Sequence, residues 1–312
     1  MSNEKLTNID MTKHPHKIQV TFNRVEETKI PKTLAELVRI TASPNLVLAF
    51  DELERLVGLS EAKKTMYEIY ALFRINAERE KHQLKREKQM YHMVFKGNPG
   101  TGKTTVARII SKIFKELGVL SKGHMIECER ADLVGEFIGH TAQKTKELIK
   151  RAMGGVLFID EAYSLARGGE KDFGKEAIDC LTKSLEDQGN DFICILAGYT
   201  EEMESFLELN PGLPSRFPIR INFVDYSVDE LMSICEQIAK DKQYELSRVA
   251  MDKIKNHLTK ITEDPFNFNF SNGRYTRNLI EKAIRVHSVR LLSISNLTKE
   301  DLLLLKAEDF TM

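Results

Sequence analysis

The sequence predicts an α/β fold: a five-stranded parallel sheet sandwiched by helices, followed by a C-terminal helical domain. Three observations carry this. Short apolar runs alternate with helical segments between residues 93 and 223, a glycine-rich turn joins the first run to the next helix, and no strand pattern appears beyond Asp225. Short, continuously apolar strands alternating with helices imply a sheet covered on both faces.

Residues 1–42 read as an N-terminal segment of unknown role, in which Lys17–Arg24 alternates like a short strand and Thr33–Ile40 reads as a short helix after Pro31. From Glu52 to about Lys88 the spacing of Leu56, Ala62, Met66, Ile69, Tyr70 and Phe73 predicts a helix. Its charged end, Arg79–Lys88, mixes signs and lacks aromatics, which suits a solvated helix end better than a nucleic-acid patch. The five strands are expected at Met93–Phe95, Met125–Cys128, Val156–Ile159, Ile193–Ala197 and Ile219–Phe223, with helices at Lys103–Leu117, Lys144–Met153 and Lys175–Leu185 between them. Helical stretches follow at Val228–Lys240, Ser247–Lys260, Thr276–Leu292 and Thr298–Lys306, the last with Thr298 as N-cap and Asp301 at the third helical position. The boundary near Tyr226 divides the rest of the chain into 43–225 and 226–312.

Composition bounds the function. The chain has 312 residues, enough for two compact domains, and 42% hydrophobic with 29% charged residues suits a globular protein. Lys plus Arg number 46 and Asp plus Glu number 46, so no global field favours nucleic acid or an anionic membrane as partner. The first residues are too polar for a signal peptide, and no stretch long enough to span a bilayer is free of charge, so the expected address is the cytoplasm. The four cysteines (Cys128, Cys180, Cys194, Cys235) are scattered and read as buried thiols rather than a zinc site or a disulfide framework.

The chemistry concentrates at two places. Gly97-Asn98-Pro99-Gly100-Thr101-Gly102-Lys103-Thr104, with Thr105 after it, matches G-x-x-x-x-G-K-[ST] between an expected strand and helix. Glycines let the backbone curl its N–H groups around phosphate oxygens, and the helix N-terminus adds positive potential. Lys103 would bind the β- and γ-phosphates of ATP, and the Thr104 hydroxyl would coordinate Mg²⁺. The apolar run Val156–Ile159 then delivers Asp160 and Glu161 at its C-terminal end, where a parallel sheet places its ligand. Two adjacent carboxylates could merely cap a helix. Paired with the phosphate loop they read as catalytic, Asp160 in the Mg²⁺ shell and Glu161 orienting the attacking water.

The runs FKGNPGTGKTTVARI, RADLVGEFIGHTAQKT, LFIDEAYSLARGGEKDFGKEAID and NPGLPSRFPI resemble the AAA+ ATPases, and within them the CbxX/CfqX family, from about Leu56 to Phe223. The resemblance implies a P-loop NTPase domain with a helical lid, working as a homo-hexamer with nucleotide between subunits. Arg216 matches the finger that a neighbour inserts, with Arg220 the runner-up. Thr200 or Tyr199 matches the first sensor. Arg274, in Asn272-Gly273-Arg274, resembles the Gly-Ala-Arg of the second sensor, with a departure at its first two residues and Arg277 as fallback. Val57-Gly58-Leu59 resembles the adenine-facing turn, so Val57 and Gly58 join the binding set.

Phe137, Ile138 and Gly139 resemble the pore loop of AAA+ remodellers, where an exposed aromatic grips an extended polypeptide; the plainer reading makes Phe137 and Ile138 core residues that close a loop. The implied function is an ATP-hydrolysing ring that threads or tugs a protein partner during bacterial spore formation. A nucleic-acid motor or loader is the alternative, and a small-molecule phosphotransferase a third.

Overall fold

Hydrogen bonding pairs the five apolar runs into one parallel sheet of order β2-β3-β4-β1-β5. The computed structural model describes residues 33–86, 89–137, 139–167, 173–189, 191–264 and 270–311; the strand expected at Lys17–Arg24 lies outside them. The chain divides into two units, residues 1–41 and 42–312. The described part of the first is α1 (Leu34–Thr41), whose Thr41 hydroxyl donates to Leu37 O at 2.7 Å.

In the second unit α2 (Pro44–Glu54) starts from Ser43, whose side chain caps Leu46 N, with Pro44 in the first turn. α3 (Ser60–Lys81) follows. The single helix expected from Glu52 to about Lys88 is therefore two. Gly58 and Leu59 take φ of 64° and 57°, a left-handed pair that no helix continues through. A Cβ on Gly58 would stand 2.5 Å from Glu230 Oε1, so the break is also a close contact.

The α/β alternation then runs β1 (Met93–Gly97), α4 (Lys103–Glu116), β2 (Met125–Cys128), α5 (Arg130–Leu133), α6 (His140–Ala152), β3 (Val156–Ile159), a 3₁₀ turn Ala162–Ala166, α7 (Gly174–Gln188), β4 (Ile193–Gly198), α8 (Thr200–Leu209), α9 (Leu213–Arg216) and β5 (Ile219–Phe223). β1, β3 and β4 are buried at every residue, as interior strands of a doubly covered sheet must be. β1 sits between β4 and β5, with Phe95 opposite Ala197 and Ile221. Because all pairs are parallel, the C-terminal ends of β1, β3 and β4 emerge on one edge. The helix expected from Lys144 begins at His140 instead, since Gly139 at φ 82° makes the turn into it.

Beyond Asp225 lie α10 (Val228–Asp241), β6 (Glu245–Leu246), α11 (Arg248–Glu263), α12 (Asn272–Leu291), α13 (Lys299–Leu303), β7 (Leu304–Leu305) and a 3₁₀ turn Ala307–Asp309. The paired β6 and β7 correct the expectation of no strand in this region; two residues each are too few to show a period. Thr298 and Asp301 form the expected capping box, and Ser227 and Glu230 form another at α10. This region has its own core, in which Leu231, Cys235, Ile254, Leu258, Ile280 and Phe310 are buried.

A buried ion pair closes it. Asp309 is fully buried and accepts from Arg290 Nε at 2.8 Å, Arg290 Nη2 at 2.9 Å and Lys306 N at 2.7 Å. Burial alone would push its carboxyl up; the Arg290 and Lys306 hydrogen bonds and nearby charge outweigh that and hold it below the ordinary value. A carboxyl held low stabilises the fold above its unfolded pKa and loses that contribution as pH falls through the folded one. Asp309→Asn should destabilise residues 226–311 by about 2 kcal/mol, because it removes the buried carboxylate on which Arg290 and Lys306 N converge and leaves Arg290 the exposed Glu308 at 3.3 Å. Thermal unfolding read across pH checks both parts: the variant should melt lower at neutral pH, and the gap should close in acid.

Candidate functional site

The edge where β1, β3 and β4 end forms a cleft of about 510 Å³ against the C-terminal helices. The loop leaving β1 supplies Pro99, Gly100, Gly102, Lys103, Thr104 and Thr105 to its wall. Gly97, Asn98 and Thr101 stand behind, shaping the loop: Thr101 is fully buried and its hydroxyl donates to Asn98 O at 2.7 Å. Gly100 has φ 72°, and a Cβ there would stand 2.0 Å from Ser271 O, so the loop's closest approach to the helical region admits only glycine. Lys103 Nζ donates to Gly97 O at 2.7 Å and Asn98 O at 2.9 Å. Burial lowers its pKa, partly offset by the charge of Asp160.

Asp160 and Glu161 line the same cleft at the end of β3. Glu161 lies in the left-handed region, φ 46° and ψ 43°, which costs a non-glycine residue on the order of 1–3 kcal/mol. Its N–H donates to Asp160 Oδ1 at 3.0 Å and its carbonyl accepts from Ser164 N at 2.8 Å, which hold the turn.

From the helical region Arg274 and Arg277, one turn apart on α12, both face the cleft, so first choice and fallback are present together. Leu56, Val57, Leu59, Ile234 and Ile238 give the other end an apolar wall, with Gly58 behind it. Tyr199 lines the cleft, whereas Thr200 begins α8 as an exposed residue outside the lining. Several cleft residues escaped the sequence reading, among them Arg55, Arg108, Tyr163, Tyr226, Ile234, Gln237 and Ile238. Arg108 lies one turn after Thr104 on α4, a spacing that could have signalled it. Tyr163 stacks on Tyr199 at 5.8 Å between centroids, and burial with the nearby charge of Glu161 pushes its phenol up to about 12. Among these lining residues five are cationic (Arg55, Lys103, Arg108, Arg274, Arg277) and two acidic, a balance suited to a polyanion.

Arg216 and Arg220 lie elsewhere. Arg216 pairs with Glu186 of α7 and donates to Gly212 O at 2.7 Å, while Arg220 is exposed on β5. Phe137 is 64% exposed, which removes it from the core in this chain. The base beneath it is tied down: Gly135 N donates to Thr141 Oγ1 at 2.9 Å and Thr145 Oγ1 to Leu133 O at 3.2 Å. Gly139 is exposed beside it, and Ile138 lies outside the described residues.

Among the described residues no cluster of three or more His, Cys, Asp or Glu could hold a metal. Thr104 and Asp160 offer two oxygen donors on the cleft wall. That set fits Mg²⁺, a hard cation whose remaining ligands are phosphate oxygens and water rather than a protein cage.

Comparison with known proteins agrees with the fold. The model of the ATPase family associated with various cellular activities (AAA) matches residues 93–225, and the AAA lid domain matches residues 227–312. Stage V sporulation protein K of Bacillus subtilis (strain 168) is 57% identical over 261 residues, 84% of this chain and 81% of that protein. The CfxQ homolog of Galdieria sulphuraria is 44% identical, covering 82% and 84% of the two chains. The chloroplastic ribulose bisphosphate carboxylase/oxygenase activase of Cyanidioschyzon merolae is 43% identical, covering 83% and 89%. The AAA domain of FIGL-1 in complex with ADP shares the fold at a TM-score of 0.55, with 17% identity over 82% of this chain and 80% of that one. The chain belongs to the AAA+ ATPases, in the CbxX/CfqX branch with the CfxQ proteins, and is an enzyme that binds and hydrolyses ATP. No described helix is long and apolar enough to cross a membrane.

The lowered pKa of Lys103 generates a prediction. ADP affinity should decline with rising pH from below the ordinary lysine value of 10.5, because the ammonium is lost earlier. Lys103→Ala should weaken ADP binding by roughly 30- to 100-fold and flatten that profile, measured by titration calorimetry.

Proposed function

We propose that this chain works as a homo-hexameric ring in which ATP hydrolysis moves an aromatic loop that tugs a protein partner during bacterial spore formation. The observation that carries the reading is the display of Phe137: a phenylalanine 64% exposed on a loop whose base is hydrogen-bonded in place. An aromatic ring displayed on a loop can grip an extended polypeptide through apolar contact without regard to its sequence.

The loop is joined to the hydrolysis site. It follows α5, where Arg130 Nη1 donates to Ser164 O at 2.6 Å, in the 3₁₀ turn that Glu161 opens. A change at Glu161 therefore has a short bonded route to the base of the loop. Lys103 and the backbone of residues 100–105 hold the triphosphate, and Arg274 with Arg277 reaches it from the lid. Thr104 and Asp160 would hold Mg²⁺, which neutralises phosphate charge when bound. Glu161 orients and polarises the attacking water. Tyr199 rather than Thr200 has the position for the first sensor, since it alone of the two lines the cleft. Arg216 lies outside its own chain's cleft, as a finger serving a neighbour's γ-phosphate would.

The relatives support the purpose by what their names say: one is a stage V sporulation protein, another an activase of an enzyme. The equal numbers of basic and acidic residues speak against a nucleic-acid motor.

Three outcomes test the ring. Glu161→Gln should retain ATP and slow its hydrolysis by about two to three orders of magnitude, capturing the partner in a pull-down from sporulating cells; adding Phe137→Ala should empty that trap. Arg216→Ala should slow turnover roughly a thousandfold. Mixing Arg216→Ala with Lys103→Ala protomers should restore part of the activity, because one supplies intact clefts and the other intact fingers. No recovery on mixing, or full turnover by a dilute monomer, would sink the ring.

A further inference from the structure

The resemblance to Gly-Ala-Arg breaks at Asn272, and the structure gives this residue more to do than a glycine could. Asn272 is fully buried, with φ 46°, at the first residue of α12. Its Nδ2 donates to Asp225 Oδ1 at 2.7 Å and its Oδ1 accepts from Tyr226 N at 3.0 Å. Asp225 is the last residue before the lid, and its other partner is in the phosphate loop: Asn98 Nδ2 donates to Oδ2 at 2.8 Å and Oδ1 at 3.1 Å. One carboxylate thus joins the phosphate loop to the lid helix at the hinge.

Two further bonds show what this docking does to the loop. Gly273 N donates to Gly100 O at 3.1 Å, and Tyr226 Oη donates to Thr101 O at 3.0 Å. In a trans peptide the N–H points opposite to the C=O of the preceding residue. Fixing the carbonyls of Gly100 and Thr101 on the lid and hinge therefore aims the N–H groups of Thr101 and Gly102 away from those partners. These are the donors of a phosphate cradle, and donors held in place before binding spend no ordering entropy on it.

We propose that Asp225 relays between the phosphate loop and the lid, with Asn98 and Asn272 as its two contacts, so that Asn272 is a positioning residue that sets nucleotide affinity through the loop. This coupling is separate from the reach of Arg274 into the cleft. It rests on the reading of the cleft as the nucleotide site.

Asn272→Gly isolates the amide, because glycine accepts the left-handed backbone without strain. ADP should bind the variant about tenfold more weakly, since the part-buried charge-assisted bond to Asp225 is lost together with the amide's bonds to Tyr226 N and Pro99 O. Asn98→Ala should weaken ADP as well, and the double variant should lose less than the product of the two effects, since Asn98 and Asn272 share the Asp225 carboxylate, with a longer bond from Asn272 Nδ2 to Pro99 O at 3.5 Å beside it. Asn272→Asp supplies a readout that a packing role would not move. It sets two carboxylates together, one of which must take up a proton, so its deficit in ADP affinity should shrink as pH falls from about 8 to about 5. Wild-type ADP affinity in Asn272→Gly, strictly multiplicative losses in the double variant, or a pH-independent deficit in Asn272→Asp would each overturn the relay. If the unaltered chain fails to bind ADP, the reading of the cleft falls with it; if it binds and the variants match it, the relay alone falls.

Discussion

The glycine-rich loop after β1 is held from two sides, and the rest of the cleft's geometry depends on that grip. On one side β1 is a fully buried strand between two parallel neighbours, so its last residue cannot drift. On the other the lid takes the loop's carbonyls, with Gly100 O bonded to Gly273 N. A loop anchored only by the sheet would present N–H groups free to reorient. Anchored at both ends, it presents them already aimed, and Asp160 and Glu161 on β3 stand on the same wall. Strain at Glu161 is tolerated for the same reason: Ser164 N and Asp160 Oδ1 hold the turn more firmly than its left-handed φ disfavours it.

Much of the architecture was legible because its signals are local. Val156–Ile159 is apolar at every residue, and a strand buried on both faces has no other way to be written. The phosphate loop and the Thr298–Asp301 box are fixed by spacing along a few residues, and both fall where the spacing put them. What escaped was non-local or too short. The break between α2 and α3 lies inside a run whose periodicity continues across it, and only the left-handed Gly58 and Leu59 reveal it. β6 and β7 pair across almost sixty residues of chain and hold two residues each.

The site followed the same division. Lys103, Asp160, Glu161 and Val57 reach one cleft from strand ends and turns that the sequence marks. Arg55, Arg108 and Tyr163 reach it from a helix end, a helix face and a 3₁₀ turn, and of the three only Arg108, one turn after Thr104, has a spacing that marks it. Thr200 and Tyr199 illustrate the limit of position alone. They are adjacent, and the chain turns into α8 between them, so one faces the cleft and the other solvent.

Arg216 bears on how a ring of such chains would be switched. Within its own chain it pairs with Glu186 and bonds Gly212 O, yet its Nε is buried without a partner among the described residues. The pair is open to water on the glutamate side, with side chains 20% and 51% exposed. A solvated pair of that kind contributes about 0–1 kcal/mol, and the unsatisfied Nε subtracts from it. On the proposed reading, the guanidinium gives up little by leaving Glu186 for the γ-phosphate of an adjoining subunit, where water is excluded and the same charge is worth more. A finger with one nitrogen left unsatisfied at home can follow the occupancy of its neighbour's site, and hydrolysis around the ring then becomes conditional on contact between protomers.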